Sequence, residues 1–362
     1  MKLSDFFVKK SDRLSVKPYA YLTPSIGNVR KGILILLVPQ IVMLLLTKSF
    51  AAVTVVLSAA LGSVIAESIV CFAIRRKKFE ILSPLIQGLL TGMLLPSTYS
   101  PVAALLITML TMLFCKYVFG GFASSWINAP AVAVTMAYLM NMGAFNVMQL
   151  SPGDLGARNA AMALIQGNSF KIFSIDSAIT SFLNRTVFGF FNIVIPDGYI
   201  SLLWDTGSLI PAFRFNLITV VSSLVLFSLN MLDFLIPFIF LAVYGILVRF
   251  VGPLITGGPA LQGDVILALL TSGLLFSTLY LLQWYGTVPI TRWGKSLYGA
   301  CAGIVAFLIV GMGDSPVGFV FMILCMNIIS AVIQVFESHQ VRIRLEKNLV
   351  PRMQAIKEAE NA

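Results

Sequence analysis

The chain has 362 residues, 58% of them apolar and 11% charged, with a mean hydropathy of +0.92 and a formal net charge of +10. That hydropathy excludes a soluble globular domain and indicates an integral membrane protein. Its apolar runs are continuous, without period-2 alternation, which excludes a transmembrane β-barrel. The basic surplus forms no soluble domain, so nucleic acid is not an expected partner.

A spanning helix needs roughly 20 mainly apolar residues. By that measure ten spans are expected, at 32–47, 50–74, 81–97, 101–118, 128–143, 215–231, 233–250, 264–282, 296–312 and 316–336. The basic segment before residue 32 is too long for the charged start of a secretion signal, so no cleavable leader is expected. Span 50–74 is long and should tilt, whereas several others are short and should be broken or half-length. Glycine and proline at 88–101, 120–130, 251–264 and 285–295 mark where such breaks would fall.

Lys and Arg set the orientation. With the N-terminus inside, 19 of the 25 basic residues fall on the inner side, including the run Arg75-Arg76-Lys77-Lys78. The other six, Lys48, Arg158, Lys171, Arg185, Arg214 and Arg249, fall outside. The expected plan is a cytoplasmic segment 1–31, a membrane half 32–143, an external segment 144–214, a second half 215–336 and a cytoplasmic tail 337–362. The tail reads as a short amphipathic helix with a solvated end. The inner-side charge should draw anionic lipid headgroups. If the two halves are a duplication, five spans in each force them to be inverted.

Cys71, Cys115, Cys301 and Cys325 lie in or beside apolar spans without metal-ligand spacing, and they read as small buried hydrophobes. With His339 the single histidine, no protein-ligated metal or haem is expected. No catalytic set, Fe–S cysteine set or dinucleotide fingerprint is present.

Charged side chains inside spans cost about 2.5–3.5 kcal/mol each on insertion scales. Glu67, deep in the second span, is therefore an ion-path candidate or one member of a structural pair. Asp264 begins a span, where it complements the helix dipole or contributes to an ion path. Asp233 also sits at a span end. Lys116 and Lys295 share the pattern Lys-x-x-aromatic-Gly near the inner interface, where snorkelling explains them. Asn128 and Asp314 each stand two residues before a proline, as N-caps or as ligand-orienting groups at broken helices, with Asp314 also an ion-path candidate.

The stretch 263–333 resembles the C-terminal half of the RnfD membrane subunits of Rnf-type ion-translocating electron transport complexes, relatives of the NqrB membrane subunits of the sodium-pumping NADH:quinone reductase. Gly263-Asp264, Pro289, Gly294, Tyr298-Gly299, Pro316, Gly318 and Met326-Asn327 carry the likeness. Residues 17–40, 88–96 and 120–130 resemble first-half signatures of the same family. The resemblance implies an all-α, urea-channel-like fold in a bacterial inner membrane. It implies a subunit, not an enzyme by itself, of a complex that couples electron transfer between ferredoxin and NAD to Na+ or H+ transport. Partner subunits are implied too. Membership of a quinone-reductase complex and a small-solute channel are the alternatives.

In that family an external threonine carries FMN through a phosphoester, so FMN or another flavin is the implied cofactor. Here "AITSFL" (178–183) puts Thr180 and Ser181 at the first two motif positions, Phe182 at the alanine and Leu183 at the acceptor threonine. Leucine has no hydroxyl to esterify. The motif's acid is displaced to Asp176, and downstream only Gly207-Ser208 match. Thr180 or Thr186 would be substitute acceptors; otherwise 174–186 is a loop without cofactor. As members of their shared Lys-x-x-aromatic-Gly pattern, Lys116 and Lys295 are candidates to hold a flavin phosphate, and Asn128, at a broken helix, is a further cofactor-binding candidate.

Overall fold

A computed structural model describes residues 24–75, 79–118, 126–145, 171–191, 194–257, 260–261, 263–284, 286–313 and 315–361. Among these residues all regular structure is helical. The helices are α1 (Ile26–Leu46), α2 (Phe50–Ala73), α3 (Leu82–Leu94), α4 (Pro101–Met112), α5 (Ala129–Met140), α6 (Asp176–Leu183) and α7 (Tyr199–Trp204). They continue as α8 (Asn216–Ser228), α9 (Leu235–Ile246), α10 (Gly252–Thr256), α11 (Val265–Thr271), α12 (Leu274–Tyr280), α13 (Arg292–Ala306) and α14 (Gly318–Asn361). Wider π turns extend α4 over Leu113–Tyr117, join α9 to α10 over Leu247–Val251 and extend α13 over Phe307–Gly311.

Five of these stretches are long and apolar enough to cross a membrane: α1, α2, α9 through α10, α13 with its π turn, and α14. Helices α3, α4, α5 and α8 are apolar but shorter. The expected span 264–282 is two helices, broken at Ser272-Gly273. Gly273 has φ +70° and a Cβ there would lie 2.1 Å from the Phe213 ring, so both conformation and space require glycine. Two ends differ from expectation. Helix α1 starts at Ile26, because the Ser25 hydroxyl caps Asn28 N at 3.3 Å and helix geometry begins before the apolar run. Helix α14 runs unbroken to Asn361, so the tail is no separate helix.

Glycine governs how closely the helices approach. A Cβ on Gly62 of α2 would sit 2.3 Å from Leu105 O of α4, and one on Gly92 of α3 2.5 Å from Val56 Cα of α2. In the second half, a Cβ on Gly303 of α13 would meet Val243 Cβ of α9 at 2.8 Å. Such backbone-to-backbone packing is how apolar helices associate when lipid is no poorer a partner than leucine. We expect Gly62→Ala and Gly92→Ala to destabilise the bundle by roughly 1–3 kcal/mol each, read as a lower unfolding midpoint in detergent. Helix α3 is buried on nearly all sides, and one apolar core joins Val56, Leu90 and Met93 of the first half to Phe240, Tyr298 and Phe319 of the second.

The connecting segment is tied down at several points. Arg214 donates to both Asp205 oxygens, at 2.9 and 2.5 Å, and to Ser49 Oγ in the α1–α2 turn at 2.6 Å. Ser97 N, beyond α3, donates to Leu209 O at 2.9 Å.

Candidate functional site

Helix α2 is so apolar that one carboxylate within it needs a partner, and α4 provides one through its terminal π turn. Glu67 and Lys116 are both buried, at 3% exposure each, with Lys116 Nζ 3.6 Å from Glu67 Oε2. The ammonium also donates to Ser83 Oγ at 3.2 Å and lies 4.8 Å from the centroid of the Tyr117 ring. The Tyr117 hydroxyl donates to the Glu67 carboxylate. Two residues that the sequence presents separately thus form a single site with formal charges that cancel. Nearby in the chain, Gln87 of α3 and Thr108 of α4 are fully buried, and neither the amide nor the hydroxyl makes a hydrogen bond. Neither stands among the sequence-derived candidates, although a glutamine inside an apolar span is a readable signal.

Lys295 has a different setting. It lies in the first turn of α13 and donates to Asp233 Oδ2 at 2.6 Å, while Asp233 N donates to Gln283 Oε1 at 3.0 Å. Lys116 ends its helix whereas Lys295 begins one, so their shared motif does not put them at matching helix positions. Beside Lys295, the buried Glu337 of α14 accepts from Ile290 N and Thr291 N, both at 2.9 Å, and from Thr291 Oγ1 at 2.5 Å. A Cβ on Gly294 would lie 2.0 Å from Glu337 Oε1, which explains the motif glycine. The sequence presents Glu337 only as the start of a tail; a carboxylate directly after an apolar span is its one cue.

Asn128 is fully buried, capping α5 through Ala131 N at 3.3 Å and donating to Leu281 O at 3.0 Å. Asp264 caps α11 through Leu267 N at 2.9 Å and accepts from the Tyr199 hydroxyl. Burial first, then the Asp264 carboxylate, push the Tyr199 phenol above its usual range, so it stays a donor. Asp314, Arg76, Lys77, Lys78 and residues 146–170 lie outside the described residues.

The stretch expected as a loop at 174–186 is helical: α6 and then a π turn over Asn184–Phe188. The reason is amphipathic spacing. Asp176 and Thr180 face inward, while Ile175, Ile179 and Phe182 are exposed. Asp176 Oδ1 accepts from Gly198 N at 2.8 Å and Thr180 Oγ1 at 3.1 Å; Oδ2 accepts from Ser201 N at 2.7 Å and from the Ser201 hydroxyl. Burial pushes this carboxyl up, but the four donors outweigh it and hold it below the ordinary carboxylate range. The displaced acid is thus the staple between α6 and α7.

An esterified FMN needs a reachable hydroxyl and donors or a cation for its phosphate. Thr180 is buried, with its hydroxyl committed to Asp176. Ser181 and Thr186 are exposed but donate to Ala178 O at 2.9 Å and Phe182 O at 2.7 Å. Leu183 lines an apolar cavity. These residues do not fit a flavin esterified at the family's position. Lys116 and Lys295 each already face a carboxylate, so neither is a ready phosphate clamp.

An all-helical bundle with several membrane-length apolar helices and a charge pair buried between two of its helices defines a multi-pass membrane protein. The chain matches the NQR2, RnfD, RnfE family over residues 13–342 and belongs to it. It is accordingly a membrane subunit of Rnf- or Nqr-type complexes, working in electron and ion transport beside other subunits. No curated protein matches the chain.

Proposed function

We propose that this chain is the membrane subunit of an Rnf-type complex that couples electron transfer between ferredoxin and NAD to Na+ or H+ transport. In this reading ten spans form two inverted halves in a bacterial inner membrane, with both termini cytoplasmic. Two pairings of helices support a repeat: α1 with α3 and α2 with α4 in the first half correspond to α8 with α12 and α9 with α13 in the second, whereas the close packing of α2 on α3 has no counterpart among the described residues. The observation that carries the functional part is the Glu67–Lys116–Tyr117 cluster. A buried carboxylate and ammonium persist in an apolar bundle at a desolvation cost that structure alone does not require. Glu67 is assigned to the ion path, with Asp264 and Asp314 as further members. Lys116 is the cation that an ion arriving at Glu67 would replace.

The external segment carries no covalent flavin in this reading, and any flavin is held non-covalently elsewhere. Denaturing gels of the purified complex should show no flavin fluorescence on this chain; a fluorescent band would overturn that part. Reconstituted into vesicles, Glu67→Gln should retain electron transfer and lose most ion uptake. Unchanged uptake would remove Glu67 from the path. Purification of the chain without other subunits, together with passive solute flux, would favour a channel instead.

A further inference from the structure

Between the external segment and the second membrane half lies a cavity of about 270 Å³, bounded by Leu183, Phe188, Ile195, Leu203, Ile266 and Leu270. That is close to the lower bound of about 300 Å³ for ligand pockets. Three polar residues also reach its wall, and each is satisfied within the protein. Thr180 donates to Asp176 at 3.1 Å, and Tyr199 donates to Asp264. Asn184 both accepts from Ile195 N at 2.9 Å and donates to Ile195 O at 2.8 Å. The hydrogens of both hydroxyls and the Asn184 carbonyl are thus engaged within the protein, and the surface the cavity exposes is carbon, a lining that favours hydrocarbon over polar ligands.

Two observations say where that hydrocarbon comes from. Ile266 on the wall belongs to α11 and is 47% exposed, so the cavity opens at the protein surface, which in the topology proposed above borders lipid. On α6 and its π turn, Ile179, Phe182 and Val187 are exposed as well, continuing an apolar surface beside the cavity. In the chain, the exposed Arg185 directly follows Asn184 of the wall, while the exposed Asp197 stands two residues from Ile195 and from Tyr199. An anionic headgroup uses the Arg185 charge; an uncharged isoprenoid does not.

We propose that this cavity seats one acyl chain of a bilayer phospholipid, which would pin the external segment to the membrane. The test uses the whole complex in nanodiscs containing phosphatidylglycerol with a mid-chain diazirine, irradiated and mapped by peptide mass spectrometry. Expected labels fall on Leu183, Phe188 or Leu203. Narrowing the cavity with Leu203→Phe, or more strongly with Leu270→Trp, should abolish those labels while Ile35 and Val38 of α1 remain labelled. Arg185→Glu should lower labelling of the cavity and not of α1. Labels confined to Ile179 and Phe182 would overturn the proposal, as would cavity labelling by an isoprenoid-quinone photoprobe but not by the phospholipid.

Discussion

Glu67→Ala is expected to lower the stability of the folded bundle by roughly 3–5 kcal/mol, because it removes the carboxylate that balances the buried Lys116 ammonium. The Tyr117 hydroxyl loses its acceptor in the same step. Thermal unfolding in detergent, or the fraction eluting as a monodisperse peak, measures this. Removing both charges separates cost from need. The double variant Glu67→Leu/Lys116→Met should recover most of the lost stability, since apolar groups of similar volume replace a buried pair at little cost. Ion transport should stay lost in that variant. If both stability and transport return, the pair is a packing device and no part of an ion route.

The second large effect is at Asp176. Its carboxylate collects four donors from α6, Gly198 and Ser201, and hydrogen bonds to a charged group are worth about 1.5–3 kcal/mol each before loss of coupling between them. Asp176→Ala should release α6 from α7 without unfolding the membrane halves. Limited proteolysis would then cut within 171–204 while α1 to α5 stay intact. The pH dependence has a defined sign. The folded carboxyl titrates below its unfolded value, so its contribution is complete above the unfolded pKa of about 3.9 and disappears as pH falls through the folded value. Pepsin should therefore leave the segment intact near pH 5 and cut it only below about pH 3.9. Cutting that begins near neutral pH would show that some other group holds the segment.

The sequence is most informative where chemistry and hydrophobicity agree. Apolar run length marks most of the helices, and Glu67 stands out because a carboxylate amid some twenty apolar residues is expensive. The family motif also acquires physical content: Gly294 clears Glu337, Tyr298 donates to Leu282 O at 3.0 Å, and Gly299 lets α13 approach Ile236 O of α9. Partnership is harder to read. Nothing in the spacing of Glu67 and Lys116 says that a π turn 46 residues later will deliver the ammonium. The 174–186 stretch resembles a loop because its Ser and Thr content masks the inward pair Asp176 and Thr180, which only four-residue spacing reveals. Hydropathy misplaces the end of α14 because it falls at residue 337 while helical hydrogen bonding does not.

The uninterrupted course of α14 makes it a lever. Beyond Glu337 it extends roughly 36 Å at 1.5 Å per residue, and Glu337 is its fulcrum. Its carboxylate makes three bonds to residues 290 and 291, one turn ahead of the Lys295–Asp233 pair. A neighbouring subunit that grips this arm would thus transmit its tilt to the start of α13, against which the rod packs.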